Sequence, residues 1–127
     1  MQDKFQELTA QITDLNFEDS QGFTPLIIAV QTENARFVQE LLKNKADPNF
    51  VSQGGYTALM TASAVGEPEI LKLLLDNGAR VDQRGALGLT PLMVAAAAGQ
   101  VEAGQYLIGK GAKIEETTPS GLNALMM

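Results

Sequence analysis

The chain of 127 residues has no cysteine and no histidine. Without cysteine there is no disulfide and no thiolate nucleophile, and without either residue there is no zinc site of the usual Cys/His type. The commonest general base is missing too, which leaves paired carboxylates or a Ser–Lys pairing as the catalytic options. Basic residues are also scarce. Nine Lys and Arg stand against fifteen Asp and Glu, for a net charge of −6. No basic run offsets this, so phosphate backbones and anionic membrane surfaces are repelled rather than attracted. Long apolar runs are absent as well. The longest candidate, Leu92 to Ala98, falls far short of the roughly 18 residues that span a bilayer. The opening Met1-Gln-Asp-Lys-Phe-Gln-Glu7 lacks the basic-then-apolar pattern of a secretory signal. A cytoplasmic location is the expectation, with export after removal of a leader as its rival. At 45% hydrophobic residues, the chain can bury a sizeable core as a single domain.

What the sequence does have is a period. Gly22, Gly55, Gly88 and Gly121 each open a near-copy of one phrase. The copies are Gly22-Phe-Thr-Pro-Leu26, Gly55-Tyr-Thr-Ala-Leu59, Gly88-Leu-Thr-Pro-Leu92 and Gly121-Leu-Asn-Ala-Leu125. A strict repeat of this size points to stacked supersecondary units, in which function lies along a ladder of equivalent positions.

Each Thr-Pro reads as a helix start, because the threonine oxygen caps free amides and proline at the first helical position forfeits no hydrogen bond. First helices are predicted over 24–32, 57–65 and 90–98. Leu26, Leu59 and Leu92 should point inward, with Ala29, Ala62 and Ala95 permitting close approach. Second helices are predicted over 35–44, 68–77 and 101–110. Their buried face should carry Phe37, Val38, Leu41 and Leu42; then Ile70, Leu71, Leu74 and Leu75; then Ala103, Gly104, Leu107 and Ile108. Gly78 and Gly111 suit a left-handed helix end, where Lys45 stands in the first copy. Gly66 and Gly99 separate paired helices, whereas the first copy has Glu33, so that hairpin is expected to turn differently. The segments between pairs should form hairpin-like fingers.

These features together resemble the ankyrin repeat, a unit with a Gly-x-Thr-Pro-Leu-His opening, paired leucines and a Gly-Ala-x-x-Asn ending. The ending is present as Ala46-Asp-Pro-Asn49 and Gly78-Ala-Arg-Val-Asp82. The resemblance implies an all-α solenoid of stacked helix-turn-helix pairs with β-hairpin-like finger loops. The family's histidine is replaced by Ile27, Met60, Met93 and Met126, so its hydrogen bonds are lost or replaced. The expected organisation is a degenerate capping half-repeat over 1–18, full repeats over 19–51, 52–84 and 85–117, and an incomplete fourth over 118–127. Gly104 weakens the third repeat's second helix, and the C-terminal end is expected to fray unless the native chain is longer or another molecule covers it.

No constellation of catalytic residues stands out. Ser63 falls inside a stacking helix. Glu67 and Glu69 sit at a helix N-terminus, where negative charge is favoured, and Glu115 and Glu116 read as solvated. Gly85-Ala-Leu-Gly88 lacks the Lys-Ser/Thr of a phosphate loop. An enzyme is not expected, and neither is a cofactor or a metal.

Binding is the remaining role. The resemblance puts the residue after each opening glycine on the inner, concave side and exposed to solvent: Phe23, Tyr56, Leu89 and Leu122. Beside them lie first-helix ends, including Val65 and Ala98, and finger residues Phe17, Phe50, Val51, Arg84, Ala86 and Leu87. The candidate contacts are therefore Phe23, Phe50, Val51, Tyr56, Val65, Arg84, Leu87, Leu89, Ala98 and Leu122. Such an apolar strip with Tyr and Arg has the composition of a protein-binding surface. Some of these aromatics could instead only pack finger against finger. The expected partner is another protein, with no nucleic acid and no membrane insertion, and the open C-terminal end offers self-association. Occlusion of the partner follows by analogy with small ankyrin proteins that inhibit enzymes, bacterial ones included. A scaffold or targeting segment of a longer repeat protein is the competing function.

Overall fold

The structure, a computed structural model, describes residues 19, 22–85 and 88–114. Those residues form six helices in three antiparallel pairs: α1 (Pro25–Gln31) with α2 (Ala35–Lys43), α3 (Ala58–Val65) with α4 (Pro68–Asp76), and α5 (Pro91–Ala97) with α6 (Val101–Gly109). The first helices α1, α3 and α5 pack consecutively into one layer, and α2, α4 and α6 into the other. An all-helical solenoid results, with no strand among the described residues.

Local chemistry explains why each helix begins where it does. Thr24, Thr57 and Thr90 are the N-caps of the first helices. Their hydroxyl oxygens accept from the amides of Ile27 (3.2 Å), Met60 (3.1 Å) and Met93 (3.3 Å). All three threonines are buried, so each cap satisfies a donor that water could not reach. Pro25, Pro68 and Pro91 take the first helical position. The Met93 sulfur accepts from the Thr90 amide at 3.5 Å and closes a reciprocal cap. A thioether closes this cap, though sulfur is a weak acceptor.

Helix ends follow one scheme. The amide of Ala46 reaches Leu41 O and that of Lys45 reaches Leu42 O; Ala79 and Gly78 repeat this on Leu74 and Leu75, and Ala112 and Gly111 on Leu107 and Ile108. This is the paired arrangement that ties up orphan carbonyls beyond a helix, and it requires a left-handed residue. Gly78 and Gly111 adopt φ +99, and Lys45 is held there at φ 71.

The expectation of a different first hairpin turn is wrong. Glu33 adopts φ 56, in the same left-handed region as Gly66 and Gly99. The geometry of two antiparallel helices sets this dihedral, and the side chain submits to it.

The core is built as the period predicts. Leu26, Leu59 and Leu92 are buried, as are Ala29, Ala62 and Ala95 between successive first helices, and Val38, Leu41, Ile70, Leu71, Leu74 and Leu107 on the second. Four residues expected on the buried face depart from it: Phe37, Leu75 and Gly104 are half-buried, and Ile108, at the end of the described stack, is 44% exposed.

Candidate protein-binding face

The fingers lead into the first helices and place the candidate ladder. Each described finger closes with two backbone bonds. Gly22 N donates to Asp19 O (3.0 Å) and Asp19 N to Phe23 O (2.9 Å). Ser52, Gly55 and Tyr56 repeat the pattern, as do Gly85, Gly88 and Leu89. The first residue's side chain reinforces the turn where it can. Asp19 Oδ1 accepts from Phe23 N at 3.0 Å, and Ser52 Oγ accepts from Tyr56 N at 3.1 Å. Gly85 cannot do this. Its lack of a side chain serves close approach instead, since a Cβ there would overlap the Met60 sulfur and the Gly55 carbonyl. Arg84 steadies the third finger by donating from its guanidinium to Gly88 O at 2.7 Å.

Phe23 and Tyr56 meet across neighbouring repeats, with ring centroids 5.1 Å apart and planes tilted by 43°. Phe23 is half-buried and packs against the core, as does Leu89, while Tyr56 remains 41% exposed. Gly54 permits this pose: a Cβ there would lie 2.8 Å from Tyr56 Cε2. The expectation that the whole row faces solvent therefore needs amending. Phe23 and Leu89 divide their surface between the core and the outside, and finger-to-finger packing accounts for part of Phe23. Val51 and Ala98 are exposed, and Phe50, Val65 and Arg84 are half-buried. Leu87 and Leu122 lie outside the described residues, as do Phe17 and Ala86.

Two polar staples that the sequence reading missed hold this face in register. The Gln100 side-chain amide donates to Ala64 O (3.0 Å) and Val65 O (3.3 Å), tying the third pair to the end of α3. Gly66 leaves the space: a Cβ there would collide with the Gln100 carboxamide. On the other flank, Asn49 Nδ2 donates to Gly78 O at 2.8 Å and its Oδ1 accepts from Arg80 N at 2.7 Å. The recurrence of Asn49 and Asp82 at one repeat spacing was the available signal.

Little here could do chemistry. Ser63 is fully buried and donates to Leu59 O at 2.7 Å, so it has no access to a substrate. Among the described residues no three His, Cys, Asp or Glu come together to hold a metal ion. No helix among them is long and apolar enough to cross a membrane.

The family follows from comparison with known repeats. A model for ankyrin repeats in three copies matches residues 1–85, and a second ankyrin model, for many copies, matches residues 66–108. The chain is an ankyrin-repeat protein. Ankyrin repeats are in general protein–protein interaction modules and are typically not catalytic. A comparison with individually characterised proteins gives no match. In this ankyrin domain the Thr caps, the glycine-dependent helix ends and the cross-repeat staples hold the finger row as a rigid surface.

Proposed function

We propose that this ankyrin domain binds a partner protein across the concave side formed by its fingers and first helices, and regulates that partner by occlusion. The observation that carries the reading is the Phe23–Tyr56 pair. An aromatic ring 41% exposed and already clamped by a neighbouring ring loses little freedom on binding, which favours it as an anchor. Val51, Leu89 and Ala98 extend the apolar row, and Phe50, Val65 and Arg84 border it. Leu122 belongs to the same ladder by its repeat position, and Leu87 stands two positions before Leu89 in the sequence. The units of this ladder are 19–51, 52–84 and 85–117, preceded by a half-repeat over 1–18 and followed by a partial one over 118–127.

The test compares wild type with Tyr56→Asp/Ala98→Asp, two exposed positions, as baits in lysate of the native source with quantitative mass spectrometry. One dominant protein should be retained by wild type and lost by the variant, at unchanged helical content by circular dichroism. Equal retention by both baits would remove this face from consideration. If the captured protein is an enzyme, adding the ankyrin domain at stoichiometric concentration should lower its turnover. Undiminished turnover in the complex would instead favour the scaffold or targeting role.

A further inference from the structure

Asn77-Gly78 is the one Asn-Gly step in the chain. Both residues are exposed, at the end of α4. The Asn77 carboxamide donates to Leu73 O at 2.7 Å, and the Gly78 amide donates to Leu75 O at 3.2 Å. Asn49, which follows α2, is fastened to the same corner. Its Nδ2 donates to Gly78 O at 2.8 Å and its Oδ1 accepts from Arg80 N at 2.7 Å. Asn44-Lys45 supplies an internal comparison. Asn44 caps α2 as Asn77 caps α4, its carboxamide donates to Glu40 O at 2.7 Å, and Lys45 is left-handed like Gly78.

We propose that Asn77 is a site of spontaneous deamidation and that the Asn49 staple governs its rate. The Gly78 nitrogen bonds to Asn77 Cγ, the Cγ–Nδ2 bond breaks, and the amide proton leaves with that nitrogen as ammonia. Water then opens the cyclic imide. Addition at Cγ leaves aspartate at position 77. Addition at the main-chain carbonyl leaves isoaspartate, with the chain running through Cβ and Cγ. Glycine suits the step because no Cβ crowds the attacking nitrogen, whereas Lys45 presents a whole side chain there. In the folded protein both reacting groups are tied up, the nitrogen by Leu75 O and the carboxamide by Leu73 O. The reaction therefore runs through local opening of the last turn of α4. That opening must part Gly78 O and Arg80 N from Asn49. Either product sets a carboxylate beside Asp76 at the C-terminus of α4, where the helix dipole disfavours it. Isoaspartate also adds a methylene to the main chain just before Gly78. The Asn49 staple and the bond from Ala79 N to Leu74 O (2.9 Å) then lose their register. Ageing at this step unfastens the segment after α2 from the end of α4.

The test incubates folded wild type, Lys45→Gly and Asn49→Ala side by side in mildly alkaline buffer, with wild type in urea as the unfolded reference. Tandem mass spectrometry of tryptic and Asp-N peptides follows each asparagine, and an isoaspartyl methyltransferase labels the isoaspartate. In folded wild type Asn77 should deamidate while Asn44 stays intact. Lys45→Gly should open a second site at Asn44. Asn49→Ala should speed the reaction at Asn77 by about 5–30-fold, the change in opening that follows from losing both bonds. Urea should speed it as well. An intact Asn77, or an Asn44 that reacts as fast in wild type, would overturn the site. An inert Asn44 in Lys45→Gly would overturn the role given to glycine. A rate at Asn77 unmoved by Asn49→Ala or by urea would overturn the control by the staple.

Discussion

Asn49 and Asp82 occupy the same place in successive repeats, yet only one of them completes its staple. Asn49 donates to Gly78 O and accepts from Arg80 N, at 2.8 and 2.7 Å. Asp82 accepts from Lys113 N at 3.2 Å, but an ionised carboxylate has no hydrogen with which to reach Gly111 O. Gly111 lies just past the C-terminus of α6, where negative charge is disfavoured by the helix dipole.

Asp82→Asn should therefore stabilise the protein. It supplies the missing donor and removes a charge from the carbonyl end of α6. Against this, a charge-assisted acceptor becomes a neutral one. The net gain expected is about 0.5–1 kcal/mol, since one exposed hydrogen bond contributes little more. Asn49→Ala, which breaks both bonds, should lose about 1–2 kcal/mol. Urea denaturation followed by circular dichroism measures both, and a destabilised Asp82→Asn would show that the charge-assisted bond dominates.

Glu33 and Lys45 hold left-handed dihedrals, φ 56 and φ 71, where sister repeats have glycine. That conformation costs an L-residue about 1–2 kcal/mol. Glycine removes the cost but loses about 0.5–1 kcal/mol to the greater freedom of the unfolded chain. Glu33→Gly and Lys45→Gly should thus each stabilise by about 0.5–1 kcal/mol. Thermal unfolding of the two single variants and the double variant checks this, and the two gains should add because the sites lie at opposite ends of α2.

Gly66 and Gly99 share a conformation but not surroundings. A Cβ on Gly99 meets nothing within 4 Å, whereas on Gly66 it collides with the side chain of Gln100. Gly99→Ala should pay the left-handed cost alone, about 1–2 kcal/mol. Gly66→Ala should lose more, because Gln100 must also give up its bonds to Ala64 and Val65, worth about 1 kcal/mol more. In Gln100→Ala the staple is already gone, so Gly66→Ala should cost no more there than Gly99→Ala does in wild type.

Those staples mark what the sequence conceals. Helix positions, the Thr caps and the buried leucine and alanine rows are legible because each depends on a residue's place within its own repeat. The Gln100 bridge is not, since its counterparts are Asn34, whose carboxamide oxygen accepts from Phe37 N within its own repeat, and Glu67, so no cross-repeat staple recurs at that place. The Glu33 turn was misread for a related reason: packing of α1 on α2 outweighs a strain of about 1–2 kcal/mol. Tyr56 and Phe23 share a ladder position, yet one stands out and the other leans on the core. That difference arises from contacts between neighbours in space, which a ladder of equivalent positions treats as identical.

Tyr56 offers a way to separate stability from binding. Its contact with Phe23 is worth about 0.5–1.5 kcal/mol as an aromatic pair, so Tyr56→Ala should cost about that in unfolding free energy. As a binding anchor, the same change should weaken partner affinity by at least 2 kcal/mol, roughly thirtyfold. Tyr56→Phe keeps the ring pair and should leave stability within about 0.5 kcal/mol of wild type. Isothermal titration with the captured partner, beside denaturation of the free domain, resolves the two effects. Equal losses in both would reduce Tyr56 to a packing residue.

One further substitution tests whether backbone conformation alone sets the sign of a change. Gly99 and Gly104 stand five residues apart, and neither would meet an obstacle on gaining a methyl group. Gly99 is left-handed, at φ +72, while Gly104 lies within α6. In a helix interior, alanine is favoured over glycine by about 1 kcal/mol. Gly104→Ala should therefore stabilise the protein by about that amount, just as Gly99→Ala destabilises it. The methyl at 104 also adds apolar surface beside Leu92, 3.7 Å away. Paired unfolding curves of opposite shift are the expected outcome. A Gly104→Ala variant weaker than wild type would mean that α6 needs the bare backbone there, and would reveal a contact at 104 closer than Leu92.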